Sequence, residues 1–167
     1  MGERLTKQDV EKIEKEIEYR TLVVRKEAIE AVKEARAQGD LSENFEYYAA
    51  KREKNINESR IRYLERILKT ATIISEESKE DEVGLNNTVT VYIEDDDEEE
   101  TYRLVTSIRG NSLAGLISTE SPIGKALLGH KVGDRVWIQV NDQYGYYVEI
   151  RAIEKTQDEE NDKIRAF

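Results

Sequence analysis

The chain has 167 residues and carries 26 Lys/Arg against 36 Asp/Glu, a formal net charge of −10. Charged residues make up 37 % and hydrophobic ones 38 %, too even a balance for one large core, so an elongated helical part joined to a compact part is expected. The absence of cysteine excludes disulfides, thiolate nucleophiles and cysteine-ligated metals, and fits a reducing cytoplasm.

No apolar run approaches the roughly 20 residues of a membrane span, and the N-terminus is too polar for a secretory signal. The charge is unevenly spread. Residues 1–75 hold 16 Lys/Arg and 15 Asp/Glu, whereas residues 76–167 hold 10 and 21. So acidic a chain is a poor general nucleic-acid binder, although local contact with RNA stays open to the balanced first half.

Residues 8–37 contain no Gly or Pro and are rich in helix formers. Val10, Ile13, Ile17, Val24, Ala28, Val32 and Ala35 make one apolar stripe, with Thr6 or Asp9 as candidate caps. Gly39 stops this helix. A second helical pattern runs from Asn44 to Thr70 through Tyr47, Ala50, Ile61, Leu64 and Leu68, and weakens around Lys54–Ser59. So short a connection predicts an antiparallel helical hairpin, a rod of roughly 45 Å for thirty residues. Its head carries Asp40 and Glu43 in the run Gly39-Asp40-Leu41-Ser42-Glu43-Asn44.

Residues 76–84 read as a linker between the hairpin (1–75) and a second domain (85–156), with 157–167 a polar tail. Val89, Val91 and Ile93 alternate with polar neighbours as in a strand. Asp95–Glu100 reads as an acidic turn, Thr101–Thr106 as the returning strand, and Leu113–Ile117 as a further short one. Ser121-Pro122 opens a helix with serine as cap and proline at the first position, and Gly129 closes it. Strands at Val136–Val140 and Tyr144–Ala152 complete a small antiparallel sheet packed on one helix. Trp137 reads as a packing residue and His130 as an exposed loop histidine. The fold class is α+β.

The run Ala35 to Lys51, centred on that hexapeptide, resembles the tip signature of the bacterial Gre transcript-cleavage factors, GreA type. Ser121-Pro122-Ile123-Gly124-Lys125-Ala126-Leu127-Leu128-Gly129, followed by Val132-Gly133-Asp134, resembles the family's second signature. The likeness runs from Leu5 to about Glu154. Phe45 departs from it, standing where the family usually has alanine, and Lys26 stands where proline is common.

The resemblance implies an antiparallel coiled-coil hairpin and an FKBP-like C-terminal domain. It implies a monomer that enters the secondary channel of bacterial RNA polymerase and is not itself an enzyme. Asp40 and Glu43 would help hold a Mg²⁺ ion shared with the polymerase's active centre, where backtracked RNA is cleaved. Arg36 and Lys51 would contact the 3′ end of that RNA, Asn44 and Tyr47 would order the tip, and Glu120, Ser121 and Pro122 would dock at the channel rim.

Other readings stand beside this one. Asp-x-x-Glu is also a capping-box spacing, and on spacing alone a cap is favoured for Asp40; the surrounding signature reverses that preference. An ordinary solvated charge competes for Lys51, interhelical packing for Tyr47, and a plain helix start for Ser121 and Pro122. At the level of function, the rivals are a Gre-like channel-binding inhibitor, an FKBP-like chaperone or prolyl isomerase, and a coiled-coil adaptor.

Overall fold

The computed structural model describes residues 2–39, 44–156 and 164. Two compact units emerge, one built on Asp9–Ala71 and one on Glu3–Gln8 together with the chain from Thr72 onward. Asp40 and Glu43 lie outside the described residues.

In the first unit, α1 (Lys7–Tyr19) runs through a π-helical turn (Arg20–Val24) into α2 (Arg25–Ala37), and α3 (Phe45–Thr70) packs on α2. Thr6 immediately precedes α1, and Asp9 falls in its first turn. The sequence stripes face inward: Ile13, Ala35, Ile61 and Leu64 are buried. The stretch where the second stripe weakens holds a polar layer instead. Asn57, only 3 % exposed, donates its amide to the Arg20 carbonyl and accepts from the Arg20 guanidinium, both at 3.1 Å. Glu16 accepts from Arg20 at 2.7 Å and from Arg60 at 2.8 Å, and Arg25 grips Glu58 with two bonds of 2.8 and 2.9 Å. Paired charges and a bonded amide thus fill positions where an apolar stripe would continue, which satisfies the rule that buried polar groups find partners.

In the second unit, β1 (Arg4–Leu5) pairs in parallel with β2 (Thr72–Ile73). The main sheet has the order β5-β4-β3-β7-β6, from β3 (Thr88–Ile93), β4 (Glu98–Val105), β5 (Leu116–Ser118), β6 (Arg135–Asn141) and β7 (Tyr144–Glu154). Three of its four pairings are antiparallel. The fourth corrects the expectation of a wholly antiparallel sheet: β5 runs parallel to β4. The acidic turn is also shorter than its composition suggests, since Glu98–Glu100 extend β4 in register with Val91–Ile93. These glutamates are exposed, and the half of β4 they occupy lies beyond the reach of β5, where charge discourages pairing with another chain.

Short helix α4 (Pro122–Leu127) packs against β6, and Leu127 joins Val83, Val89, Val91, Leu104, Val136, Ile138, Val148 and Ile150 in the core. Val83 belongs to this core although it lies in the segment that reads as a linker. The same segment is tied down by Lys155, whose ammonium donates to Ser78 Oγ, Asn87 Oδ1 and the carbonyls of Lys79 and Glu82 at 2.6–3.1 Å. Trp137 takes the outward position between buried Val136 and Ile138. It packs edge-on to Tyr147 at 4.8 Å and covers Gly145, where a Cβ would come within 2.2 Å of the indole. His130 sits after α4 with Nδ1 3.0 Å from Asp134.

A candidate nucleic-acid interface at the head of the hairpin

Helix α2 ends where Gln38 N–H reaches back to the Ala35 carbonyl at 3.3 Å. Gly39 follows at φ +126°, a conformation that only glycine adopts without strain. Helix α3 begins at Phe45 with Asn44 as its N-cap, accepting from Tyr47 N–H at 3.0 Å. The Asn44 amide also donates to the Ala35 carbonyl at 2.6 Å. One side chain therefore caps the second helix and clamps it to the end of the first.

Behind this clamp, aromatic and basic side chains gather. The Arg36 guanidinium stands 5.7 Å from the centre of the Tyr47 ring, and the Tyr47 and Tyr48 rings meet edge-on at 5.4 Å. A hydrogen bond from Arg36, then the charge of Lys51, pulls the Tyr47 phenol below its usual value of 10. Arg36, Tyr47 and Lys51 thus form one electropositive group. Tyr47 is half-buried, Arg36 and Lys51 are exposed, and Phe45 is 85 % exposed.

Glu120, Ser121 and Pro122 lie in the other unit, at the start of α4. Ser121 Oγ accepts from Gly124 N–H at 3.1 Å and donates to the Ser118 carbonyl at 2.6 Å. A Cβ on Gly124 would fall 2.0 Å from that carbonyl oxygen, so glycine is required for the turn to close. The Ser121 hydroxyl is spent inside the fold, while Glu120 and Pro122 face solvent.

Tyr48 and Arg52, outside the residues the resemblance singles out, are both exposed. They lie on the face of α3 opposite the buried stripe, and the signal was a second helical repeat through Phe45, Tyr48, Arg52 and Ile56. Among the described residues, no group of three or more His, Cys, Asp or Glu could hold a metal ion, and no helix is long and apolar enough to cross a membrane.

Comparison with known proteins matches residues 3–73 to the family described as transcription elongation factor, N-terminal, and residues 77–155 to the GreA/GreB C-terminal family. Transcription elongation factor GreA of Geobacillus kaustophilus is 48 % identical over 136 residues, covering 81 % of this chain and 86 % of the relative. GreA of Streptococcus pneumoniae is 44 % identical over 153 residues, covering 91 % and 95 %. Among solved structures, GreA factor homolog 1 of Thermus thermophilus is 31 % identical, covers 92 % of this chain and 99 % of its own, and superposes with a TM-score of 0.44. Both halves of the chain, in order and nearly end to end, therefore belong to the GreA/GreB family of transcription elongation factors.

Proposed function

We propose that the protein enters the secondary channel of bacterial RNA polymerase and stimulates the polymerase's own cleavage of backtracked RNA, so that arrested transcription resumes from a new 3′ end. The observation that carries this reading is the Asn44 clamp. It caps α3 and holds its start to the end of α2, the two elements between which the sequence carries Asp40 and Glu43.

The chain's part is delivery. Two carboxylates are hard oxygen donors of the kind Mg²⁺ prefers, but they fall short of its six-fold shell, so the remaining ligands come from the polymerase, the RNA and water. Free carboxylates ionise near pH 4 and are charged at neutral pH. Bound there, Mg²⁺ supplies activation of a water and stabilisation of the leaving oxygen. Asp40 is the more direct ligand and Glu43 the positioning one. With no complete site of its own, the protein is not an enzyme alone. Arg36 and Lys51 approach the extruded RNA, while Glu120 and Pro122, on a turn held by Ser121, meet the channel rim.

The test is a bacterial polymerase stalled in a backtracked register, supplied with Mg²⁺ and the protein, with RNA length followed in time. Rapid shortening of the transcript supports the reading. Slowed elongation without cleavage would make the protein a channel-binding inhibitor instead.

A further inference from the structure

The outer face of α3 carries a strip of exposed side chains that the hairpin's packing does not use. Phe45, Tyr48, Arg52 and Ile56 follow one another at spacings of three and four residues, so they align on one side of the helix over about 16 Å. Their exposures are high: 85 % for Phe45, 51 % for Tyr48 and 47 % for Ile56. One turn beyond Phe45 begins an open groove of about 470 Å³ lined by Tyr48, Lys51, Arg52, Asn55, Ile56 and Ser59.

The lining is chemically selective. It holds two cations and no carboxylate, in a chain where acids outnumber bases by 36 to 26. Aromatic rings followed along one helix by cations suit single-stranded nucleic acid: each base offers a π-face for stacking, and each phosphate takes a Lys or Arg. A hydrophobic protein partner would not select for the pair Lys51 and Arg52 one turn beyond the rings. The Asn44 cap fixes the first turn of α3, so the Phe45 and Tyr48 backbones are already ordered before a ligand arrives.

We infer that Phe45 and Tyr48 form a base-stacking platform for the extruded 3′ segment of the RNA, with Lys51 and Arg52 as its phosphate contacts. The inference rests on the proposed function and adds residues outside the acid pair. It makes Phe45 a positioning residue: the ring holds the strand, and the chemistry stays at the polymerase centre.

The experiment pairs protein variants with altered RNA. Full-length wild type, Phe45→Ala, Phe45→Trp and the Phe45→Ala/Tyr48→Ala double variant are titrated into complexes backtracked by several nucleotides. The extruded segment is either ordinary RNA or abasic at each extruded position. Loss of both rings raises the concentration needed for half-maximal cleavage by on the order of tenfold with ordinary RNA, has no effect with abasic RNA, and is rescued at position 45 by tryptophan. Equal loss with both RNAs would mean that the rings touch the channel wall, and no loss with either would mean that they touch nothing; each result overturns the inference while leaving the proposed function standing. Failure of wild type to stimulate any cleavage removes the proposed function itself, and the platform with it.

Discussion

Asn57 donates its side-chain amide to the Arg20 carbonyl, the same oxygen that the Arg25 N–H reaches from five residues on. The π turn and its partner helix are thereby joined through one backbone atom. Such a turn widens the helix locally, and π-bulges concentrate where a helix is shaped for use. Here Asn57 on the opposite arm is bonded to it. Replacing Asn57 by Ala removes both bonds to Arg20 and leaves a gap at a position 3 % exposed. A loss of about 1–2 kcal/mol is expected in urea unfolding. Hydrogen exchange should quicken at Arg25, whose N–H shares that carbonyl.

The Glu16 carboxylate gives the hairpin a pH dependence. Burial pushes its pKa up, but hydrogen bonds from Arg60 and Arg20, with their charges, outweigh burial and hold it below the ordinary 4.5. The folded value is depressed, so Glu16 stabilises the hairpin above pH 4.5 and that contribution is lost as pH falls through the folded value. At pH 7, Glu16→Gln should cost about 2 kcal/mol, between an exposed pair and a fully buried one. Urea titrations from pH 7 to pH 3 should show the gap between wild type and variant closing on the acid side.

Asn44 separates cap from clamp. Asn44→Asp keeps the acceptor for Tyr47 N–H and loses the donor to Ala35, whereas Asn44→Ala loses both. The alanine variant should lose about 1 kcal/mol of stability and the aspartate variant less. Both should reduce cleavage stimulation at saturating protein, because each releases α3 from α2 at the head. Thermal unfolding read beside cleavage rate checks this; full activity in Asn44→Asp would remove the clamp's role.

At the start of α4, fold and docking can be told apart. Ser121→Ala should cost about 1 kcal/mol through the lost cap. Pro122 is exposed, so Pro122→Ala should leave the melting temperature nearly unchanged while weakening association with the polymerase. Melting curves and a binding titration on the same samples give both numbers.

Much of the architecture could be read from residue spacing. Stripes at three and four residues placed both arms of the hairpin, and alternation placed β3, β6 and β7. What escaped has physical reasons. The π turn inserts extra backbone without breaking the run of helix formers, so nothing in composition marks it. The polar layer at Asn57 and Arg60 reads as a weak stripe until its partners on the other arm are visible. Glu98–Glu100 looks like a turn by charge, yet their backbones complete the ladder with β3 and only their side chains are solvated. The three residues of β5 are too few to show a period or a direction, and β1 and β2 have two each. At the candidate site, Gly39 and Asn44 stood out by type, but the bond from Asn44 to Ala35 spans nine residues and could not be inferred from type.

Asp40 and Glu43 are proposed to act at a catalytic centre that belongs to the polymerase. The most direct measurement compares Asp40→Ala and Glu43→Ala with wild type in a backtracked complex, reading RNA cleavage and polymerase binding on the same samples. Cleavage should fall at least a hundredfold in the Asp40 variant and strongly in the Glu43 variant, while binding stays within about twofold, since removing a ligand or positioning group from a metal-assisted step costs rate rather than docking. Cleavage at the wild-type rate in both variants, with binding intact, would contradict it.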